Sequence, residues 1–402
     1  MMGIRLRQAR LASGMTLEML ADRLSLANHP ITKAGLSKYE LGKSQPNQKL
    51  LLAIANALGV RVGHFFEPSK TKINWIAFRR LATMPLKRQD QVKAYASHVV
   101  ENQISLQSIL FPEESSNFPE MQDARTFDDA ERIAMELRDK WGLGDSTIDS
   151  LTGLVEDHGG VVVPCSDISR DFDGLAGRTN SGFPVAVVCM QVADDRRRYN
   201  LAHELGHLLM RCGDVSSKEE EKLANRFASA LLVPASVAKH ELGKKRKRIE
   251  VNELAILKLK HGFSMQGWAR RAFDLEIIDA GQYKALCVMF SRNHWKKIEP
   301  TVYVGNEVPT RLKLMTLRAI AEGLISRERG EQICPGYTSQ IELLGSERTD
   351  SASGLRRLPR VQRDSILEAA AEKVADAYAA DGELTDFNAF GQEDLYVDST
   401  ES

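Results

Sequence analysis

The run from Tyr199 to Pro234, YNLAHELGHLLMRCGDVSSKEEEKLANRFASALLVP, contains residues spaced for metal chemistry. His203, Glu204 and His207 form H-E-x-x-H in an apolar stretch with no proline before Pro234, so the spacing predicts a helix. At 3.6 residues per turn the two imidazoles stand one above the other, close enough to bind one ion. Glu204 projects beside them, which suits a carboxylate that takes a proton from water better than one that ligates. A tetrahedral catalytic zinc site needs a third protein ligand and an open position. The next helix supplies one: Leu223, Phe227, Ala230 and Leu231 mark its buried face, and Glu221 and Asn225 lie one turn apart on another. Glu221 is the expected ligand, with Asn225 accepting the free N–H of a histidine and fixing its tautomer. Glu219 and Glu220 stay open as rivals, because helix phase is not fixed to better than a residue. With nine histidines in 402 residues, a chance H-E-x-x-H is expected at roughly the per cent level. The competing reading is a buried polar helix pair with satisfied histidines.

The segments DDRRRYNLAHELGHLLM (Asp194 to Met210) and ANRFASALLVP (Ala224 to Pro234) resemble the ImmA/IrrE group of bacterial zinc metallopeptidases. The likeness implies a thermolysin-like (gluzincin) architecture, with His203, His207 and Glu221 as ligands of one catalytic Zn2+ and Glu204 as the base. FDGLAGRTNSGFPVAVVCM (Phe172 to Met190) is similar to that family's edge strand before the active-site helix. The resemblance runs from about Phe127 to Pro300.

A chain of this length exceeds what one core usually holds, so two or three domains are expected. Hydrophobic content of 43% and charged content of 27% are ordinary for a water-soluble protein. The formal net charge is zero, so attraction to nucleic acid must come from a local patch. Cys165, Cys189, Cys212, Cys287 and Cys334 are scattered without a C-x-x-C pair, against a disulfide framework or a cysteine zinc knuckle. The basic start MMGIRLRQARLASG lacks the apolar core of a signal peptide, and no stretch reaches membrane-span length. A reducing cytoplasm, bacterial or prophage-encoded, is the expected setting.

Gly3 to Pro68 reads as five short helices. Ile4, Leu6 and Leu11 give the first an apolar stripe that ends at Ser13-Gly14. Thr16 and Thr32 are N-caps, Gly42 a stop, and Pro46-Asn47 opens the apolar helix QKLLLAIANALG. The order resembles the Cro/C1 (XRE) helix-turn-helix family through L-A-D-R-L, L-S-K-Y-E-x-G-K and L-x-x-I-A-x-A-L-G-V. The connection LANHPI is longer than the commonest form. The likeness implies that the later helix enters the major groove of double-stranded operator DNA. By helix position Lys33, Ala34 and Ser37 face bases, and Thr32, Lys38 and Lys43 lie nearer phosphates, while Leu36 and Tyr39 pack inward. Arg5, Arg7, Arg10, Arg23, Lys33, Lys38, Lys43, Lys49 and Arg61 outnumber the acids of the segment and support the assignment. Such domains usually bind as dimers, so a homodimer is expected.

The fold class expected is mainly α (α+β): residues 1–68 a five-helix lambda-repressor-like domain, 69–124 a helical connector and loop, 125–300 a gluzincin-like peptidase domain with a small sheet, 301–380 a helical region and 381–402 an acidic tail. GGVVVPC and PVAVVCM are the strands. His158, before two glycines, reads as a helix-end residue meeting terminal carbonyls rather than a ligand. Lys244 to Arg248, KKRKR, reads as a solvated turn. The tail, with Phe387, Phe390 and Tyr396 among acids, has the composition of a disordered segment that folds only on a basic surface, the alternative being a plain disordered end. The two resemblances together imply one of two functions: a DNA-binding regulator whose metallopeptidase domain cleaves a repressor-type protein, or a non-proteolytic regulator or antitoxin that uses the peptidase fold as a sensor or toxin-binding surface.

Overall fold

Helices α1 (Met2–Ala12), α2 (Leu17–Leu26), α3 (Lys33–Glu40) and α4 (Gln48–Leu58), then a 3₁₀ turn at Val62–Phe65, begin the computed structural model. It describes residues 2–66, 71–76, 84–112, 117–165, 172, 174–296 and 298–335; the part of the expected helical region beyond 335 and the acidic tail lie outside these. Thr16, Thr32 and Asn47 each accept a backbone N–H three residues on and so start α2, α3 and α4. Gly42 and Gly59 turn the chain at φ +70° and +66°, which a side chain would resist. Leu6, Leu20, Leu24, Leu36, Ile54 and Phe65 form the core of this module.

The face of α1 departs from the expected stripe. Leu6 and Ala9 are buried but Ile4 is exposed, because the helix lies with Gly3 against the end of α3, where a Cβ would strike the Tyr39 and Glu40 carbonyls. Two arginines counted with the basic surface are also withdrawn from it. Arg10 is buried and bonds Glu40 through Nε at 2.6 Å and Nη2 at 2.9 Å. Arg5 is buried and forks onto Glu101 at 3.0 and 3.1 Å.

The connector is more than a spacer. It supplies β1 (Ile73–Trp75) and the long helix α5 (Leu86–Leu110). Then come β2 (Gln122–Asp123), α6 (Phe127–Lys140), α7 (Leu151–Asp157), β3 (Val161–Cys165), β4 (Gly174–Thr179), β5 (Pro184–Cys189), α8 (Asp194–Leu209), β6 (Met210–Arg211) and α9 (Ser217–Leu232). The main sheet has the order β1-β4-β5-β3, with β3 and β5 parallel and the other pairs antiparallel. β4 is therefore not at the edge: β1 pairs Ile73 with Thr179 and Trp75 with Gly177 along its outer side. The strand alternation divides the sheet, since successive residues point to opposite faces. Val161, Val163, Val185 and Val187 pack with Val92, Ala96 and Val100 of α5. Val162, Ala186 and Val188 pack with Leu201 and Leu205 of α8.

α10 (Ala235–Leu242), α11 (Val251–His261), α12 (Met265–Asp274), α13 (Ala280–Arg292), α14 (Arg311–Ala321) and α15 (Arg327–Ile333) complete the described elements. Lys244 to Arg248 lie in the irregular link between α10 and α11, where Arg246 donates to Glu253 at 3.0 and 3.1 Å. His158 caps α7, its Nδ1 standing 2.8 Å from the Leu154 carbonyl oxygen.

Charges in the first turns of α8 anchor that helix. Arg198 Nε donates to Glu307 at 2.8 Å with both side chains sealed from water, and Arg198 Nη2 donates to the Asp149 carbonyl at 2.7 Å. Glu307 also accepts from the Leu151 and Thr152 N–H groups at 3.1 and 2.9 Å, which places a carboxylate at the N-terminus of α7. Asp195 meets buried Lys258 at 3.0 Å, and Lys258 holds Glu299 at 2.8 Å. Removing one member of a buried pair leaves the other charge uncompensated, at a cost of about 3–5 kcal/mol. Glu307→Ala should lower stability by about that amount in urea unfolding of the full chain; a loss under about 1 kcal/mol would show that the pair does not hold α8.

Candidate metal centre

The site is made where α8 and α9 touch. Gly206, in the middle of H-E-x-x-H, faces Ala224: a Cβ there would lie 3.2 Å from the Ala224 Cα and 3.2 Å from Phe227 Cδ1. The missing side chain lets the two helices approach closely, and Glu221, one turn before Ala224, comes to the imidazoles. His203 Nε2 and His207 Nε2 are 3.1 Å apart. Glu221 Oε2 is 3.3 Å from His203 Nε2, and its Oε1 is 3.5 Å from His207 Nε2. Ligands about 2.0–2.1 Å from a tetrahedral zinc stand about 3.3 Å from one another, so the three donors have the spacing and chemistry of a zinc-binding set. Among the described residues these three are the group of histidine, cysteine and acid side chains that could hold a metal ion.

The rival acids have other places. Glu219 closes a capping box with Ser216, its Oε2 accepting from the Ser216 N–H at 3.0 Å and hydroxyl at 2.7 Å. Glu220 lies on the far side of the His207 ring, 3.5 Å from Nδ1. Sequence reasoning left it as a possible ligand, yet its position suits a carboxylate that orients the ring from behind. Burial disfavours a charged His207, but Glu220, Glu221 and the nearby Glu204 outweigh it and push the ring up to about 9. A metal must therefore displace a proton from His207 at neutral pH.

Asn225 Oδ1 stands 3.0 Å from His203 Nδ1 and accepts from the Tyr199 hydroxyl at 2.9 Å. With the proton on Nδ1 the ring donates to that oxygen and Nε2 keeps its lone pair for a metal. Tyr199 was not singled out from the sequence, although it lies one turn before His203. Glu204 is buried against β4, where a Cβ on Gly174 would reach within 2.7 Å of its Oε1. Gly174 and Gly206 were also missed. A glycine inside a helix costs about 1 kcal/mol relative to alanine, and that is the signal that close packing was needed at Gly206.

On α3, Lys33, Ala34, Lys38, and beyond it Lys43, are exposed, and Ser37 is half-buried. Thr32 is exposed at the N-cap, where its Oγ1 accepts from the Gly35 N–H at 3.1 Å. Leu36 and Tyr39 face inward as expected. The long connection between α2 and α3 turns at Asn28 with φ +60°.

Comparison with known proteins follows these two regions. Residues 6–65 match the family model described as helix-turn-helix, and residues 157–268 match that of the IrrE N-terminal-like domain. The chain thus carries an XRE-type helix-turn-helix domain followed by an IrrE/ImmA-like peptidase domain. It is 40% identical over 60 residues to the SPbeta prophage-derived uncharacterized HTH-type transcriptional regulator YonR of Bacillus subtilis (strain 168). That match covers 15% of this chain and 51% of the relative, so the chain spans about half the length of the curated relative it matches.

A branched side chain in place of Gly206 should push α9 away and separate Glu221 from the imidazoles. Gly206→Val is expected to weaken zinc binding at least tenfold in a chelator competition while the far-ultraviolet circular dichroism keeps its helical shape. Unchanged affinity would show that the Gly206–Ala224 contact does not set the site.

Proposed function

We propose that this protein is a sequence-specific DNA-binding transcriptional regulator carrying a zinc-dependent endopeptidase that cleaves a repressor-type protein partner. The convergence of His203 Nε2, His207 Nε2 and Glu221 beside a buried Glu204 is the observation that carries the hydrolytic half. A zinc ion held by these three residues would supply Lewis-acid polarisation and a lowered water pKa. Glu204 takes the proton of the attacking water on a carboxylate oxygen and returns it to the leaving amine. Asn225 and Glu220 keep the two rings turned toward the ion, and Gly174 leaves room for the Glu204 carboxyl. Residues 125–300 form the peptidase unit in this reading, 1–68 the DNA-binding unit, and a homodimer on two half-sites is the arrangement that the helix-turn-helix favours.

The DNA-binding half rests on the exposed face of α3. Lys33, Ala34 and Ser37 meet base edges, and Thr32, Lys38 and Lys43 meet phosphates. With Arg5 and Arg10 buried in ion pairs, the phosphate contacts fall to the cations of this module that stay exposed. Among the described residues no helix is long and apolar enough to cross a membrane.

A second reading keeps DNA binding without proteolysis. His203, Glu204 and His207 are 0%, 1% and 3% exposed, and such burial also suits a structural or sensing metal centre or the surface of an antitoxin that binds a toxin.

Two measurements test the proposal. Glu204→Gln should keep zinc and operator binding and abolish cleavage of a co-expressed repressor encoded nearby; a wild type that cleaves nothing with zinc bound favours the second reading. On DNA, Lys38→Ala should weaken all sequences alike and reduce the slope of log affinity against log salt by about 1, whereas Ser37→Ala should relax selectivity at one base position. Equal loss on operator and random DNA for both variants would displace α3 from the groove.

A further inference from the structure

β3 and β5 end on cysteines, and their parallel register sets Cys165 opposite Cys189. Both are reduced and both are buried. They point to the same side of the sheet, into the cluster that Val163 and Val187 make with Val92, Ala96, Val99 and Val100 of α5. Neighbouring strands lie about 4.8 Å apart. A disulfide asks for Cα atoms about 4.4–6.8 Å apart, and the spacing of paired strands falls in that range. Among the described residues Cys212, Cys287 and Cys334 face no cysteine across a strand pair.

We propose that Cys165 and Cys189 form a dithiol site that a peroxide converts to a disulfide. One thiolate attacks the peroxide O–O bond, taking one oxygen as a sulfenic acid while the other leaves as water with the thiol proton. The second thiol then attacks the sulfenic sulfur, forms the S–S bond and expels a second water. The peroxide is reduced by two electrons and the two sulfurs lose them, so no further reductant or oxidant enters. Thiol reagents reverse the bond. Burial makes the reaction slower than at an exposed thiol, because the peroxide must reach sulfurs that the cluster under α5 covers.

The place gives the bond a consequence. α5 lies over this end of the sheet and also seats α1 through Arg5–Glu101 at 3.0 Å and Arg7–Asp90 at 3.4 Å. Rotating the two side chains into a disulfide repacks the cluster under α5, and α5 passes the change to the helix-turn-helix module. Neither the zinc site nor proteolysis is required for this.

The test uses the full chain. Reduced protein is treated with hydrogen peroxide, unfolded in an alkylating reagent, digested and weighed. The expected result is a Cys165–Cys189 peptide pair lighter by two hydrogens, lost on dithiothreitol treatment and absent from Cys165→Ser and Cys189→Ser but present in Cys287→Ser. Backbone amides of residues 92–100 should change their hydrogen-exchange rates on oxidation in the wild type only. If the serine variants do not fold, phenylarsine oxide on the reduced wild type replaces them, since a bridging dithiol takes up one arsenic per chain at these two positions. Both thiols still alkylatable after peroxide, or no arsenic bridging them, overturns the site; a bond formed with the α5 amides unaltered overturns the coupling.

Discussion

The contact between Gly206 on α8 and Ala224 on α9 is the constraint on which the candidate centre depends. Two imidazoles on one helix are set by the helical repeat, but the third donor comes from another helix, and its reach is fixed by how near the two axes pass. A hydrogen at 206 and a methyl at 224 make that distance small. Leu223, Phe227 and Leu231 then bury the rest of the α9 face and hold the approach. α8 cannot rotate away, because Arg198 and Asp195 in its first turns are tied to Glu307 and to Lys258 in surroundings that exclude water. The polar site is thus positioned by apolar packing on one side and by sealed ion pairs on the other.

The four-stranded sheet acts as a wall between two helices with different duties. α8 carries the donors on one face, and α5 covers the other face while holding the helix-turn-helix module by Arg5 and Arg7. Around Arg5 the His64 and His98 rings lie 5.8 Å apart, and burial, with the Arg5 and Arg329 charges, holds them down to about 3 and about 4. Both rings are neutral over the physiological range, so this junction does not gain charge near neutral pH. The module and the sheet are joined by a long helix packed along its length, an arrangement that differs from a domain tethered by a loop.

Carboxylates at helix starts recur in the fold. Glu307 serves α7, Glu299 accepts from the Met265 and Gln266 N–H groups at 3.0 Å each at α12, and Glu156 accepts from the Thr310 and Arg311 N–H groups at the start of α14. Each satisfies donors that a helix leaves without partners, and each comes from a distant part of the chain. The segments after α13 are in this way bound back to the peptidase domain. For Glu156, burial outweighs the hydrogen bonds and moves the carboxyl above its usual range.

Sequence alone determined what is written within a turn or two of helix or a few residues of strand. The H-E-x-x-H helix, the Thr16, Thr32 and Asn47 caps, the buried face of α9, the strands in GGVVVPC and PVAVVCM and the helix-ending His158 all follow from period and local hydrogen bonding, which need no knowledge of the rest of the chain. The tertiary structure decided who stands opposite whom. It separated Glu219, Glu220 and Glu221, which differ by a rotation of about 100° each on the helix and hence by their surroundings. It took Arg5 and Arg10 out of the basic surface, covered β4 with β1, and turned Ile4 outward. It also set Cys165 against Cys189, two residues that their spacing in the chain did not connect. Such pairings depend on topology and on the competition for burial among segments far apart in sequence, and no local pattern of residues encodes them.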